Sequence, residues 1–396
     1  MENINRKRVK IITCITLCVF ALSACSQSKT KTVAIKNSEI NSTHNSREDM
    51  ESAFQNTENE VRTIPTQVSA QSDLLSVQAE VYVTEGVNLN TVPLGKAEVH
   101  LLDTDRICED LSYGVDVEDK VEYEKEHGNE DLDSFISRIF YYEDGRILVI
   151  EPLYLSYITP KSRSIDKVVL DEEGASFNNM EVYKDKELPF ARSEDVYKEV
   201  KCSLEQWGVL IGEKYELFGL DHETMKEQEY VINEAGEYNA PLKKESWTEE
   251  DDCYYFQCAQ EFHGIPIYYY GYGVLRGYHN IGPAFKVKYD KDGFVEITIE
   301  RPYDVQDMGK TVSIISAEDA VDCLIRKFDN IIMTDPVVVD KLSLQMLPQR
   351  TAPGSYDLIP VWIFEGKEYW TLDDGTEAVV SDKYMFNAET GKEIIL

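Results

Sequence analysis

The stretch YDLIPVWIFEG (Tyr356–Gly366), together with FNAETGKEII (Phe386–Ile395) near the end of the chain, decides the fold that the sequence predicts. The first is a short apolar run rich in β-branched and aromatic residues, which is typical of a buried strand. The second turns near Gly391 and then returns to apolar residues. Both segments therefore predict strands of a sheet, with a tight turn before the last strand.

A helix is predicted ahead of these strands. The segment AEDAVDCLIRKF (Ala317–Phe328) follows Ser316, and Ser316 with Asp319 forms an approximate capping box. Its apolar residues recur at helical spacing, so one stripe of the helix is expected to face the sheet. The stripe consists of Val321, Leu324, Ile325 and Phe328.

The same order of elements occurs earlier in the chain, which predicts an internal repeat. The segment SEDVYKEVKCSLEQW (Ser193–Trp207) predicts a helix with Ser193 as its N-cap. Strand-like KYELFGL follows, and a later hairpin turns at Asp292-Gly293. The two predicted modules span 189–308 and 309–396. The stripe expected to be buried in the first consists of Val196, Val200, Leu204 and Trp207.

The segment before the first module, 73–188, predicts a strand-rich N-terminal domain. VQAEVYVTE alternates apolar and polar residues, and SRIFYYEDGRILVIE predicts a hairpin at Asp144-Gly145. The predicted fold class is therefore α+β. It consists of antiparallel sheets, each packed by a helix, in two repeated helix-strand-strand-strand modules after the strand-rich domain.

The first residues predict export. A basic start precedes the apolar run Ile11–Ala21, which is shorter than the ~20 residues that a membrane-spanning helix needs. The next residues, Leu22-Ser23-Ala24-Cys25, resemble the lipobox of bacterial lipoproteins. The resemblance implies that 1–24 is a signal peptide and that Cys25 is diacylated. The alternative is an ordinary signal peptide with a chance cysteine.

A polar stretch follows the predicted lipid anchor. Residues 25–72 are poor in large apolar side chains after Cys25, and are rich in Ser, Thr, Asn, Gln, Glu and Lys. Such a composition buries too little surface to offset its ordering entropy. We therefore expect a disordered tether between Cys25 and the folded part.

The C-terminal motifs also carry a resemblance to known modules. The stretch Pro360–Phe364 (PVWIF) and the turn Asn387–Gly391 (NAETG) resemble those of PepSY-like modules of extracytoplasmic bacterial proteins. Paired modules of this kind are similar to YycH/YycI-type regulators of sensor kinases and to uncharacterised Gram-positive lipoproteins. The regulators are held by a transmembrane helix, whereas this chain has a lipobox, so the lipoproteins are the nearer resemblance. The resemblance to PepSY-like modules implies a helix packed on an antiparallel sheet, and it implies no catalytic residues.

The net charge bears on the class of partner. The chain has a formal charge of −33, and removal of 1–24 takes away four of 40 basic and one of 73 acidic residues, which leaves −36. This charge argues against a nucleic-acid partner, whose phosphates require Lys and Arg. It also argues against electrostatic binding to anionic lipid. The lipid on Cys25 is therefore the expected membrane contact.

Motifs for metal, cofactor or catalytic chemistry are not found in the sequence, and none of these is predicted. Asp290 and Asp292 match only the start of a calcium loop and are interpreted as turn residues. No histidines have H-E-x-x-H spacing, and no G-x-S-x-G elbow occurs. Cys14 and Cys18 would be removed with the signal peptide and Cys25 would be lipidated, so an odd number of cysteines remains. We expect these to be buried thiols, and one disulfide among them is the alternative. The remaining cysteines are Cys108, Cys202, Cys253, Cys258 and Cys323.

A tyrosine-rich stretch is the candidate binding surface. HGIPIYYYGYGVLRGYH (His263–His279) combines tyrosines with glycines that permit close backbone approach. The alternative is that alternate tyrosines line the core. The candidate binding residues are Tyr268, Tyr270, Tyr272 and Tyr278.

Together these patterns predict a non-enzymatic lipoprotein on the outer face of the cytoplasmic membrane. Its role would be to bind or regulate an envelope protein, peptide or cell-wall component. Two alternatives stay open. One is an envelope hydrolase or metal-dependent enzyme whose site is built from scattered carboxylates, and the other is a protease-inhibitory module.

Overall fold

The structure is a computed structural model that describes residues 63–126, 131–166, 180–229, 243–269, 282–331, 333–371 and 377–395. These residues form a mixed α+β fold that is dominated by antiparallel strands. None of the helices in these ranges is long and apolar enough to cross a bilayer.

The elements are numbered here in chain order. The strands are β1 (Gln67–Ser72), β2 (Leu75–Tyr82), β3 (Val92–Val99), β4 (Val117–Glu126), β5 (Ser134–Tyr142), β6 (Ile147–Glu151), β7 (Tyr154–Ile158), β8 (Tyr215–Leu220), β9 (Cys253–Cys258), β10 (Glu261–Phe262), β11 (Ile265–Pro266), β12 (Ala284–Asp290), β13 (Gly293–Glu300), β14 (Tyr303–Val312), β15 (Val337–Ala352), β16 (Ser355–Thr371), β17 (Glu377–Asn387) and β18 (Glu393–Ile394). The α-helices are α1 (Thr104–Ser112), α2 (Pro160–Ile165), α3 (Ser193–Gln206), α4 (His222–Gln228) and α5 (Ala317–Asp329).

The described residues divide into two compact units, each built on its own sheet. The first unit comprises His100–Ala259 and Tyr269–Pro302. The second comprises the described residues before His100, with Gln260–Tyr268 and the chain from Tyr303 onward. Each unit is therefore assembled from segments that are discontinuous in the chain.

The first unit is built on one antiparallel sheet in the order β4-β5-β6-β7-β13-β12-β9-β8. Its last four strands along the chain, β8, β9, β12 and β13, form a meander that follows α3. The apolar stripe of α3 packs on one sheet face, where Leu204 and Trp207 share a core cluster with Phe256. A smaller cluster around Tyr255, Met225 and Trp247 forms elsewhere in the unit.

The second unit has a sheet whose main path is β1-β2-β15-β16-β17-β18. The strands from β15 onward form an antiparallel meander after α5. β3 pairs with β16 over Ser355–Leu358, while β17 pairs with it from Val361 onward. The core cluster contains Leu324 of α5 and Trp362 of β16, and the Trp362 indole N–H donates to the Ile315 carbonyl at 3.1 Å.

Several local predictions are confirmed. The predicted stripe of α3 is buried, and the β12–β13 hairpin turns where Asp-Gly predicts it. Ser316 and Asp319 form a complete capping box at α5. The final turn has Gly391 at φ 66°, and the Asn387 side chain accepts from the Thr390 amide at 2.9 Å. Each of these features depends on residues that lie close together in the sequence.

The prediction of Ser193 as an N-cap is wrong. Arg192 is the N-cap of α3 and makes no side-chain capping bond. The Ser193 amide instead donates to the Glu187 carboxylate at 2.9 Å, and the Ser193 hydroxyl donates to the same carboxylate at 2.5 Å. A carboxylate from the preceding segment therefore satisfies the helix terminus, which a local pattern could not indicate.

The predicted linear domain boundaries do not coincide with the compact units. The predicted disordered tether 25–72 is wrong at its end, because Gln67–Ser72 forms β1 and pairs with β2. Segment 73–188 contributes β2 and β3 to the second unit and β4 to β7 to the first. The reason is a parallel pairing of β2 with β15, in which Val77 lies opposite Val339. Periodicity within a short window shows that a strand exists but does not show its partner.

Candidate functional site

A buried ionic cluster lies in the first unit, formed by Lys288, Ser162 and the mostly buried Glu296, with the partly exposed Asp166 at its rim. Lys288 on β12 and Glu296 on β13 are direct cross-strand partners, whereas Ser162 lies in α2 and Asp166 follows α2. Because successive strand residues point to opposite faces, Lys288 points away from the core cluster that contains its neighbour Val287.

The Lys288 ammonium is almost completely enclosed, with the residue only 4% exposed. It donates to Glu296 Oε2 at 2.6 Å and also to Asp166 Oδ1, and it lies 5.7 Å from the centroid of the Tyr255 ring. The Ser162 hydroxyl donates to the same Glu296 oxygen. The buried charge is thus paired and hydrogen-bonded, as a buried ion requires.

The electrostatics of this cluster hold Lys288 in its charged form. Burial by itself lowers the pKa of the ammonium, but the adjacent Glu296 and Asp166 carboxylates outweigh it, so the pKa lies above its ordinary value. A general base must accept a proton at working pH, and this lysine cannot. Ser162 is fully buried and its hydroxyl is directed to a carboxylate. The arrangement therefore fits a structural connection between α2 and the sheet better than a Ser–Lys nucleophile.

A further ion pair involves Lys161, the residue before Ser162. Lys161 donates to Asp290 Oδ2 at 2.6 Å and to the Glu250 carbonyl at 2.6 Å. The Asp292 amide donates to Asp290 Oδ1 at 2.8 Å, so the Asp290 carboxylate forms the predicted hairpin turn. Within the described ranges, no three His, Cys, Asp or Glu side chains converge to hold a metal ion.

A histidine–aspartate pair lies at the start of α4. Asp252 Oδ1 is 2.8 Å from His222 Nδ1 and also accepts the His222 backbone amide at 2.7 Å. The hydrogen bond to this carboxylate raises the pKa of His222. The pair can respond to pH around neutrality, which is the range in which histidine titrates.

The predicted tyrosine surface is only partly within the described residues. Tyr268 is 2% exposed, and its amide donates to the Met346 carbonyl at 2.8 Å. This corrects the expectation for Tyr268, which lies in the core because its backbone is bonded to a central strand. Tyr270, Tyr272 and Tyr278 lie outside the described residues, as does the predicted lipidation site Cys25.

The cysteines within the described residues are all free thiols. Cys253 and Cys258 belong to different core clusters, as expected for residues five positions apart on one strand. Burial raises the pKa of Cys108 to about 11 and that of Cys253 and Cys258 to about 12. Cys202 on α3 is exposed, so the expectation of buried thiols is wrong for this residue.

Exposed apolar side chains are concentrated on two strand ribbons, which the sequence analysis did not select. Half of the exposed large hydrophobic residues in the described ranges lie on them, each 36–55% exposed. The first ribbon is defined by Val117, Val121, Tyr123 and Ile136 on β4 and β5. The second ribbon is defined by Tyr369, Trp370 and Val379 on β16 and β17. The alternation of VEDKVEYEKE could have indicated the first ribbon as a strand, but not that both of its faces are open.

The second ribbon lies where the β16–β17 hairpin extends past its neighbour. β15 pairs with β16 only as far as Glu368, and Tyr369 and Trp370 follow. The Trp370 indole N–H donates to Glu368 Oε2 at 2.8 Å, which orients the ring. Aromatic side chains of this kind supply large contact area at low conformational-entropy cost.

Comparisons with known proteins show the fold but no family. No family model matches the chain, and no curated protein matches it. Among solved structures, the chain is similar to the crystal structure of an uncharacterized protein from Eubacterium rectale, with a TM-score of 0.64 and 16% sequence identity. The alignment covers 84% of this chain and 94% of that chain. At this identity the similarity carries an argument about architecture alone.

Proposed function

We propose that the protein is a non-enzymatic, lipid-anchored binding protein on the outer face of the cytoplasmic membrane, held through Cys25. Its partner is an envelope protein or peptide. The observation that carries the binding role is that exposed apolar side chains share one face of each ribbon, Val121 with Tyr123 on β4 and Tyr369 with its cross-strand partner Val379. Contiguous exposed apolar surface is uncommon on monomeric proteins and marks interaction sites, whereas scattered single residues need no explanation.

The buried ionic cluster supports a binding role over a hydrolytic one. Its lysine is enclosed and is held protonated by two carboxylates. Its serine has no access to solvent. We therefore assign these residues to stability and place the recognition surface on the strand ribbons.

We also propose that 189–308 and 309–396 are two copies of one PepSY-like module. The support is that α3 and α5 are each followed along the chain by an antiparallel meander, β8-β9-β12-β13 and β15-β16-β17-β18. The test is a crystal structure of 189–396 within the full chain, in which each helix should superpose on the other together with its four strands in the same order. A different path of either meander would reject the repeat.

The binding role is tested by cross-linking the lipidated protein in envelope membranes and identifying what co-purifies. We expect a partner to be enriched with the wild type and lost when Val121 and Tyr123, or Tyr369 and Trp370, are replaced by Ser. The matched control is Leu101→Ser with Leu210→Ser, because both leucines are exposed but lie outside the ribbons. Equal enrichment by ribbon and control variants would place recognition elsewhere.

The anchor is tested separately by fractionation. Cys25→Ser should move the protein from the membrane to the aqueous fraction, because the acyl chains provide the proposed attachment. Cys202→Ser is the control, since this exposed thiol is not part of the lipobox. Unchanged membrane association of the Cys25 variant would reject the lipoprotein assignment without bearing on the ribbons.

A further inference from the structure

The outer edge of β4 is not paired with any other strand of the described residues. β4 is terminal in the sheet of the first unit and pairs with β5 alone among the described strands. Residues 117–124 are all exposed, so both faces of the strand are accessible. Alternate residues of an edge strand direct their N–H and C=O groups outward, which leaves a row of unpaired donors and acceptors.

The opposite edge of the same sheet, at β8, is covered by another segment of the chain. Beside β8, the Asp185 amide donates to the Leu217 carbonyl at 2.9 Å, and the backbones of Lys184 and Phe218 form an antiparallel β-bridge. The chain also passes so close to Gly219 that a Cβ there would lie 2.1 Å from the Lys186 carbonyl oxygen. One edge is therefore covered by its own chain, whereas no described residue covers the edge of β4.

The side chains of β4 define the chemistry of an occupant. Glu118, Asp119, Glu122 and Glu124 outnumber Lys120 and Lys125. Both lysines are also paired within the protein. Lys120 lies 2.8 Å from Glu122, whose carboxylate also lies 3.1 Å from Arg138 of β5, and Lys125 donates to Glu151 at 2.6 Å. By the register with β5, Glu122 and Glu124 lie on one face of the strand, and Val121 and Tyr123 lie on the other face together with Asp119.

We propose that β4 binds an extended polypeptide of alternating basic and apolar residues by strand addition. Side chains directly opposite each other on neighbouring strands share a face and interact. A basic residue of the partner would then lie beside Glu124, and apolar residues beside Val121 and Tyr123. The inference rests on the proposed binding function and names the chemistry of the partner for the first ribbon.

A second copy of the chain is a poorer occupant. Edge-to-edge pairing of two copies would place the acidic side chains of one β4 against those of the other. Like charges directly opposite on neighbouring strands are destabilising, and charged edges oppose self-association. The same acidic residues attract a basic strand. The charge pattern of β4 therefore disfavours a second copy of the chain and favours a basic partner.

The test uses the full chain and synthetic peptides of about eight residues, enough to span the exposed part of β4. One peptide alternates Lys with Val and Tyr. A second has the same composition in blocks, and a third carries N-methyl groups on alternate amides. We expect the alternating peptide to bind and to slow hydrogen exchange of the β4 amides. The block and N-methylated peptides should bind at least about tenfold more weakly, because they cannot match the face pattern or complete the backbone hydrogen bonds.

Charge variants connect the binding to this edge. The double substitution Glu118→Lys and Glu124→Lys should lower the affinity for the alternating peptide by at least about tenfold. The matched control is Glu213→Lys with Glu216→Lys, two exposed acidic residues at the covered edge, which should leave the affinity unchanged. Circular dichroism of each variant checks that the fold is retained.

Three outcomes would overturn strand addition. They are equal binding of the block peptide, binding without protection of β4, and concentration-dependent dimerisation that itself protects β4. If the peptides fail while wild-type protein still enriches an envelope partner through the ribbon residues, strand addition by a basic segment is rejected and the proposed binding function stands. Failure of both rejects the binding function itself.

Discussion

At the scale of single residues, Lys288 shows what allows a charge to be buried in this protein. Its ammonium is bonded to Glu296 and Asp166 and lies near the Tyr255 ring. Removal of one member of such a pair costs far more than the pair itself contributes, because the remaining charges stay in a poorly solvated place. The cluster is therefore sensitive to truncation.

We predict that Lys288→Met lowers the free energy of unfolding by about 3 kcal/mol, since it leaves two carboxylates without their cation. Urea unfolding followed by tryptophan fluorescence measures this change. Lys291→Met is the control, because Lys291 pairs with Glu250 in solvent and should contribute little. Equal effects of the two substitutions would contradict the account of the cluster.

The cysteine environments predict selective alkylation. In native protein without reductant, iodoacetamide should modify Cys202 among the described cysteines, because burial raises the pKa of Cys108, Cys253 and Cys258 and restricts access to them. Peptide mapping by mass spectrometry measures each site. In denaturant, all should react. A cysteine that resists alkylation in denaturant until reductant is added would reveal a disulfide.

The His222–Asp252 pair predicts a pH-dependent contribution to stability. The pKa of His222 is raised in the folded state by its hydrogen bond to Asp252. Its contribution is therefore fully present below the unfolded pKa of about 6.5 and is lost as pH rises through the folded pKa. His222→Gln should destabilise the protein more near about pH 5.5 than near about pH 9.

The assignment of that effect is checked by NMR titration of the His222 ring. Asp252→Asn keeps an acceptor for the backbone amide but removes the charge, so the pKa of His222 should fall toward its ordinary value. An unchanged titration in this variant would assign the raised pKa to other groups.

At the scale of elements, the helices differ in how their first turns are satisfied. α5 has a capping box made by Ser316 and Asp319, whereas α3 has Arg192 as an N-cap without a side-chain bond. The first could be predicted because both partners lie within four residues. The second could not, because the carboxylate that serves α3 comes from Glu187 outside the helix.

We predict that Ser316→Ala lowers the free energy of unfolding by about 1 kcal/mol, the usual cost of removing a serine N-cap. Chemical denaturation measures the change. Arg192→Ala is the matched control at the start of α3, and it should change stability little because no capping bond is lost. A cost at Arg192 as large as that at Ser316 would contradict the assignment of the caps.

The strand ribbons could be predicted as strands, but their exposure could not be predicted from the sequence. Alternation in VEDKVEYEKE indicates a strand, but exposure depends on what packs on it. β4 is exposed because it lies at the end of the sheet order, beyond β5. Tyr268 is buried because its backbone bonds to Met346. An aromatic residue in the sequence thus does not show whether it forms core or surface.

At the scale of the whole molecule, the chain carries a large negative charge, −33 over 396 residues. Such a charge repels itself in the compact state, and dissolved salt screens that repulsion. We predict that the melting temperature rises by about 3 °C between about 0.05 M and 0.5 M NaCl. Calorimetry measures the shift.

The control for general screening is CaCl₂ at matched ionic strength. Similar shifts with both salts are expected, because no described group of three ligands could hold a metal ion. A much larger shift at low CaCl₂ concentration would contradict general screening and indicate a specific cation site.

The sequence by itself determined the elements whose causes are local. Amphipathic spacing predicts the buried faces of α3 and α5, Ser316 with Asp319 marks the start of α5, and Asp-Gly marks the β12–β13 turn. These interactions act between residues a few positions apart, so they are visible in a short window.

Only the tertiary structure decided which segments meet. The parallel pairing of β2 with β15 divides the chain into discontinuous units, and β4 lies at the end of its sheet with an edge that pairs with no other described strand. The enclosure of Lys288 depends on α2 lying against β12 and β13. These features arise from contacts between residues far apart in the chain, where burial and pairing are properties of the assembled core rather than of any local pattern.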